Sequence, residues 1–382
     1  MNINKSFSKE NKKRATLALC IVTYIMVYLC RLNFSSAVLK ISAAMDVTTA
    51  AMGVVGSLFF IAYALGQLIN GFIGDRVSPV KFIIVAIIGT GAINIAMTFA
   101  DSLWLIKILW VLNGYFQSVF WGSCNRLLSY YYGSREHHII STGMSLSMVM
   151  SYILSWAILG KLLVESSWQN YFLIPGIIAG FMLIVWFIFA KFEKTVFTST
   201  AKNQTLNRKD LLATMNKELL WLICLTCIFT GLVKEGIGLW APVIFLTILG
   251  GNINQSLLLI VFIPLGNFFG IMLAEKLLKR KHSDTYKILI SMLFFMAVSA
   301  LCIILVKDAM PFAAIFFTAM VSAMALGCNS ILLSYIPLSY SSQNIVSTLI
   351  GVFNFSAYIG AAISAFVLGI FLNKGNWQII PI

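Results

Sequence analysis

Tyr24-Ile25-Met26-Val27-Tyr28-Leu29-Cys30-Arg31-Leu32-Asn33-Phe34-Ser35 is an apolar run with one permanently charged guanidinium inside it. Arg31 stands more than about 20 Å of helical rise beyond Arg14, the last charge of the N-terminal tail, which puts it near mid-bilayer if the run spans. A cation at that depth costs ~2.5–3.5 kcal/mol on insertion scales, so such a residue marks a functional site unless a partner explains it. Tyr24, Tyr28, Arg31 and Ser35 fall at helical spacings of 4, 3 and 4. Two phenols, a guanidinium and a hydroxyl therefore share one face, suited to an anion. The alternative is a structural arginine paired with backbone carbonyls or snorkelling to an interface. Lys234-Glu235, again amid a hydrophobic span, repeats the arrangement about two hundred residues later.

Hydrophobic residues make up 60% of the 382 residues and charged residues 10%, whereas a soluble domain is about a quarter charged. The chain reads as a polytopic membrane protein. Its net charge of +14 raises nucleic acid as a partner, but the basic residues flank apolar spans instead of forming a patch. The lipid bilayer is the expected partner and nucleic acid is not. Twenty of the 27 Lys and Arg lie on one side of the predicted spans, which by the positive-inside rule places the N-terminus and the long central loop in the cytoplasm and the protein in the cell membrane. The first span is too long for a signal-peptide core and lacks a small-residue cleavage site. All seven cysteines fall in apolar spans. Cys224-x-x-Cys227 has a metal-like spacing without partner ligands nearby, so neither a metal nor another cofactor is expected. His137, His138 and His282 read as loop residues, leaving no imidazole for a proton relay within the membrane.

In chain order, a polar basic tail covers 1–14. Helical spans follow at 15–40, 51–74, 81–100, 103–131, 139–163 and 170–190, forming a first bundle over 15–190. A segment rich in Thr, Lys and Asn, 191–217, reads as a cytoplasmic linker. Spans at 218–248, 254–275, 286–306, 310–336 and 344–372 make up a second bundle within 218–382. The halves echo one another: Gly66 precedes Asp75-Arg76 by nine residues, and Gly266 precedes Glu275-Lys276 by nine. Trp168-Gln169, seven residues before Pro175, is echoed by Trp377-Gln378 before Pro381. The echo predicts that 377–382 open a twelfth helix that the chain does not complete, giving six helices plus five.

Gly71-Phe72-Ile73-Gly74-Asp75-Arg76 resembles the loop between helices 2 and 3 of the major facilitator superfamily, where acid and base latch the cytoplasmic ends of the half-domains; Glu275-Lys276 repeats it. The fourth span, with Asn113-Gly114, Gln117, Trp121 and Arg126, resembles the organophosphate:phosphate antiporter family of that superfamily when taken with the Tyr24, Tyr28, Arg31, Asn33, Phe34, Ser35 pattern. The resemblance continues through Lys234-Glu235-Gly236 to Trp240-Ala241-Pro242, and through Gly351, Asn354, Tyr358 and Gly360, and so covers nearly the whole chain. It implies an all-α membrane protein of the major facilitator fold, with two pseudo-symmetric bundles and monomeric. It also implies exchange of a sugar phosphate or glycerol phosphate for inorganic phosphate by alternating access, and no enzymatic activity. On that resemblance Arg31 and Lys234 clamp the phosphate, Tyr24 and Tyr28 line it, and Gln117, Trp121, Asn354 and Tyr358 shape the pocket for the organic part.

Departures from the family pattern leave other functions open. Helix 7 carries Lys234 where the family has Arg, a point charge without a bidentate fork. Leu32 and Ser147 stand where some members have a second base and a histidine. Glu235 is the lone intramembrane carboxylate and a candidate for coupling or gating, together with Asp75, Arg76, Glu275 and Lys276. Adjacent residues on a helix point about 100° apart, so Glu235 is expected to pair with another helix instead of neutralising Lys234. The empty cation pair should then repel and disfavour closure. The alternatives are a proton-coupled symporter of organic anions, a membrane sensor of sugar phosphate that does not transport, and an inactive fragment.

Overall fold

The computed structural model describes residues 3–74, 77–132, 136–192, 220–280, 284–306, 309–339 and 346–373, and contains no strand among them. The helices are α1 (Ile3–Ala44), α2 (Thr49–Gly74), α3 (Pro79–Met97), α4 (Leu103–Ser129), α5 (His137–Tyr152) and α6 (Asn170–Phe192) in the first half. The second half contains α7 (Leu220–Ile248), α8 (Ile253–Leu278, with a break near Ile260), α9 (Thr285–Val306), α10 (Pro311–Ser330) and α11 (Val346–Asn373). Ten of these are long and apolar enough to cross a membrane, and α5 contributes a shorter apolar stretch, Gly143–Leu159. The chain is a multi-pass membrane protein.

Local chemistry sets the helix boundaries. Pro79 and Pro311 stand in the first turns of α3 and α10, where the missing N–H costs nothing. Ser102 caps α4 by accepting from the Leu105 N–H, and Asn252 caps α8 by accepting from the Gln255 N–H. Gly250 and Gly251 make the turn between α7 and α8 with φ of 62° and 87°, a conformation open to glycine. Beyond Tyr152, α5 continues through a π-helical stretch, Ile153–Leu159, into Gly160–Leu162.

α1 differs from expectation at its start. The basic tail is helical from Ile3, and its charges find partners: Arg14 donates to Glu10 at 3.3 Å, and Lys13 bonds Glu136 at the head of α5. His137 and His138 also open α5 instead of lying in a loop. Trp110 and Trp168 are buried; Trp110 stacks on Phe34 at 4.9 Å. Trp104 is 70% exposed, as a belt residue should be. The linker expectations beyond 192 and the twelfth-helix stub at 377–382 lie outside the described residues.

Each half repeats one packing scheme. α2 and α3 pack on α4 as α8 and α9 pack on α10, and α1 packs on α5 as α7 packs on α11. α6 packs against α3 and α1. The halves meet along α2–α11, α1–α7 and α5–α8. At the end of the molecule remote from the N-terminus, α2 and α11 close on each other backbone to backbone. A Cβ on Gly53 would lie 2.6 Å from the Ala365 carbonyl oxygen, and one on Gly369 would lie 2.9 Å from the Gly53 Cα. The Thr49 hydroxyl donates to the Gly369 carbonyl across the same contact. At that end Lys40 on α1 donates to the carbonyls of Val164 (2.7 Å) and Ser166 (2.5 Å), a cation satisfying carbonyls at a helix C-terminus.

Candidate functional site

Arg31 lies where α1, α2, α7 and α11 converge, and it is 7% exposed. The α1 backbone that carries it is pinned from two sides. Phe34 N–H donates to the Asn33 side chain at 2.8 Å. The Cys30 carbonyl, one residue before Arg31, accepts from Asn113 Nδ2 and Gln117 Nε2 on α4, each at 3.0 Å. Asn33 Nδ2 in turn donates to Asn94 Oδ1 on α3 at 2.7 Å. These amides are buried, so their hydrogen bonds are costly to lose and fix the height and rotation of α1.

The Arg31 guanidinium is enclosed by rings. Its Cζ lies 5.2–5.4 Å from the ring centroids of Tyr28 on α1, Phe59, Phe60 and Tyr63 on α2, and Tyr358 on α11, and the ring faces favour a cation. Nη1 donates to the Tyr358 hydroxyl at 3.4 Å. Nη2 donates to Glu235 Oε2 on α7 at 2.7 Å. The other carboxylate oxygen, Oε1, lies 2.9 Å from Lys234 Nζ. One small anionic group thus bridges a cation from each half of the molecule.

This corrects the expectation for Glu235. It pairs with another helix, as helical geometry suggested, yet it also neutralises Lys234, because the long lysine stem folds back over the separation of their Cβ directions. The repulsion expected between two empty cations is accordingly absent here. Taking three charges out of water is expensive, and the network offsets that cost only while all three remain together.

The remaining predicted residues divide by position. Tyr24 and Tyr28 are buried, with ring centroids 5.3 Å apart and planes tilted by 49°, and Trp121 is 5.4 Å from Tyr24. Tyr28 also meets Tyr152, and Tyr152 meets Trp156, at 6.0 and 4.6 Å, so an aromatic wall runs from α4 through α1 to α5. Asn354 sits one turn before Tyr358, with its Nδ2 buried and unpartnered. Gln117 is fully buried and turned to the α1 backbone, so it acts on the site through α1. Ser35, on the same face as Arg31, donates to the Leu239 carbonyl of α7 at 2.5 Å and ties the two halves. Glu275 is 4.0 Å from Lys279 on its own helix, and Lys276 is exposed. Asp75 and Arg76 lie outside the described residues.

Phe59, Phe60, Tyr63 and Tyr152 were not singled out from the sequence. An aromatic within an apolar helix carries no signal unless the anomaly it surrounds is known; Gly56, Phe59, Phe60 and Tyr63 share one face of α2 by spacing, but nothing in α2 itself says what that face meets. Gly238 is what admits Tyr152, since a Cβ there would meet the Tyr152 hydroxyl at 2.9 Å and lie 3.9 Å from Glu235 Oε2. Between Arg31, Phe34, Phe59, Trp110 and Leu239 is a cavity of about 20 Å³, which holds about one water. In this closed arrangement it does not accommodate a phosphate ester.

Comparison with known proteins gives matches over most of the chain. The Major Facilitator Superfamily profile matches residues 20–365. A Chlamydia trachomatis protein named "Probable hexose phosphate transport protein" is 24% identical over 277 residues, which cover 66% of this chain and 61% of that one. The chain thus spans about three fifths of that relative's length. The membrane sensor protein UhpC of Salmonella typhimurium is 22% identical, with 93% of this chain and 84% of that protein covered. Among solved structures, the nucleoside transporter NupG (D323A mutant) superposes with a TM-score of 0.75 at 13% identity, covering 97% of this chain and 95% of that one, a likeness of fold.

Proposed function

The chain belongs to the Major Facilitator Superfamily, a family of membrane transporters and not of enzymes, and from that premise we propose that it carries an organophosphate, a sugar phosphate or glycerol phosphate, in exchange for inorganic phosphate. The observation that supports this most is the meeting of Arg31 and Lys234, from opposite halves, on the two oxygens of one carboxylate. A phosphate offers three acceptor oxygens and one to two negative charges, and can take the carboxylate's place between the same two cations. Relatives named for hexose phosphate and glycerol-3-phosphate transport supply the substrate class.

In this reading 15–190 and 218–382 are the two bundles, and they rock about a phosphate held at mid-membrane. Arg31 supplies a fork for two oxygens and Lys234 a point charge for the third. Tyr24 and Tyr28 line the phosphate, and Trp121, Asn354 and Tyr358 line the organic part of the substrate. Contacts at Gly53, Gly369 and Ser35 close the end remote from the N-terminus, so substrate enters and leaves there when they part. Asp75, Arg76, Glu275 and Lys276 act at the opposite end as latches. The protein works as a monomer in the cell membrane with its N-terminus in the cytoplasm.

Exchange of radiolabelled phosphate from proteoliposomes against a panel of phosphorylated and carboxylated compounds tests this. Glycerol 3-phosphate or a hexose phosphate should drive exchange, and Arg31→Ala and Lys234→Ala should each reduce it by at least about a hundredfold, in line with loss of a charge-assisted contact. Normal exchange in both variants would remove the clamp. The sensor relative that matches 93% of the chain favours a second reading, a membrane sensor of sugar phosphate. Binding of a hexose phosphate with no flux would select it.

A further inference from the structure

The buried site holds two cations and one anion. Arg31, Lys234 and Glu235 side chains are 10% exposed or less, and Glu235 is the only buried acid among the described residues. Their net charge is one positive. A phosphate dianion that takes both cations brings the total to minus one and strands Glu235 in a buried site without a partner, which is strongly unfavourable. Something positive must reach Glu235 in the loaded state. Inorganic phosphate brings a proton of its own on a P–OH group; for a phosphate monoester dianion, which has none, it is either a proton from the protein or a cationic group carried by the substrate.

The surroundings favour the second. Glu235 faces Arg31 and Lys234 directly, with Tyr152 approaching beside Gly238 and Tyr28 and Tyr358 around Arg31. Arg31 and Lys234 lie 2.7 and 2.9 Å from its two oxygens. His137 and His138 open α5 at the end of the molecule that bears the N-terminus, and the buried neighbours are otherwise phenols and amides. The phenols and amides hand over no proton near neutral pH, and the two histidines stand at the opposite end of α5 from Tyr152. The ring faces of Tyr28, Phe59, Phe60, Tyr63 and Tyr358, which already enclose one cation, favour a second.

Resting on the phosphate-clamp reading, we propose that the preferred substrate is a zwitterionic organophosphate, a phosphate monoester bearing a primary amine, whose ammonium group takes over Glu235 when the phosphate takes Arg31 and Lys234. Glu235 is then the residue that selects the organic part. In the empty site it holds the two cations that the phosphate will claim.

Glucosamine 6-phosphate and glucose 6-phosphate differ by the amine alone, and phosphoethanolamine and glycerol 3-phosphate form a second pair. Each is tested as competitor of radiolabelled phosphate exchange in proteoliposomes at pH 6, 7 and 8. In the wild type the amine-bearing member of each pair should compete about tenfold better or more, the size of a charge-assisted hydrogen bond. Glu235→Gln should bring the two members within about twofold of each other. Equal competition within both wild-type pairs overturns the proposal, as does an amine preference that survives Glu235→Gln. Glucose 6-phosphate exchange that rises steeply with acidity in the wild type and not in Glu235→Gln also overturns it, since a proton then serves Glu235. If no phosphorylated compound competes, the clamp itself fails and the proposal falls with it. Should Glu235→Gln not fold, the wild-type pairs decide alone.

Discussion

Glu235 makes the site stable when empty. Replacing it by glutamine removes the only anion between Arg31 and Lys234 and leaves two buried cations facing a neutral amide. Breaking a buried network in this way costs about 3–5 kcal/mol, and the missing negative charge is one that inorganic phosphate can restore. Purified Glu235→Gln should therefore unfold at a lower temperature than the wild type and gain more than the wild type when phosphate is added. Thermal unfolding in detergent with and without phosphate measures both, and an equal phosphate shift in the two proteins would mean that Glu235 does not occupy the phosphate position. At this scale the sequence showed the charges and not their company. A charged residue in an apolar run is conspicuous, so Arg31, Lys234 and Glu235 were legible. Phe59, Phe60 and Tyr63 were not, because ring direction depends on how α2 is rotated against α1. The fold-back of Lys234 is a matter of side-chain rotamer, which spacing along a helix does not determine.

Helix contacts explain how the site is closed. α2 and α11 touch at Gly53 and Gly369 with no room for a side chain, and Ser35 spans α1 and α7 just beyond Arg31. A Gly53→Leu substitution must wedge these helices apart at the end remote from the N-terminus while leaving the packing within each half untouched. Ser35→Cys placed in that background should react with a membrane-impermeant maleimide at least about tenfold faster than Ser35→Cys alone, reflecting a closed state destabilised by more than about 1.4 kcal/mol. Unchanged labelling would show that the glycine contact is not the seal. The spans themselves could be read from hydropathy, since each is a long apolar run. Their ends could not: the basic tail is part of α1, and its Glu10–Arg14 and Lys13–Glu136 pairs join residues too far apart or too polar for an apolar-run reading to count. The burial of Trp110 follows from its packing on Phe34, Phe59 and Phe172, long-range contacts that the sequence of α4 does not specify.

Taken whole, the molecule repeats one arrangement of helices twice and sets a single charged cluster on the seam. The repeat was visible in the sequence as paired glycine and acid–base spacings, whereas the seam was not, since long-range contacts between α2 and α11 or α1 and α7 leave no local pattern. Large apolar side chains such as Ile290, Phe294 and Leu305 on α9 are 65%, 64% and 80% exposed, suited to lipid. Polar side chains are instead buried between helices, as Asn33 against Asn94 and Ser322 against Asn267. That inversion is what lets a buried arginine serve as a binding group: the surrounding lipid offers it no competing partner, and the protein provides one anion.

The central claim is that Arg31 and Lys234 grip the same phosphate. A double-mutant cycle on equilibrium binding of inorganic phosphate to the purified protein tests it most directly, using Arg31→Gln, Lys234→Gln and the pair together. If one phosphate bridges both side chains, each single variant loses most of the affinity, and the double variant binds within about threefold of the weaker single, a coupling of more than about 1 kcal/mol. Losses that simply multiply, or phosphate affinity that survives either substitution, would contradict a shared ligand between the two halves.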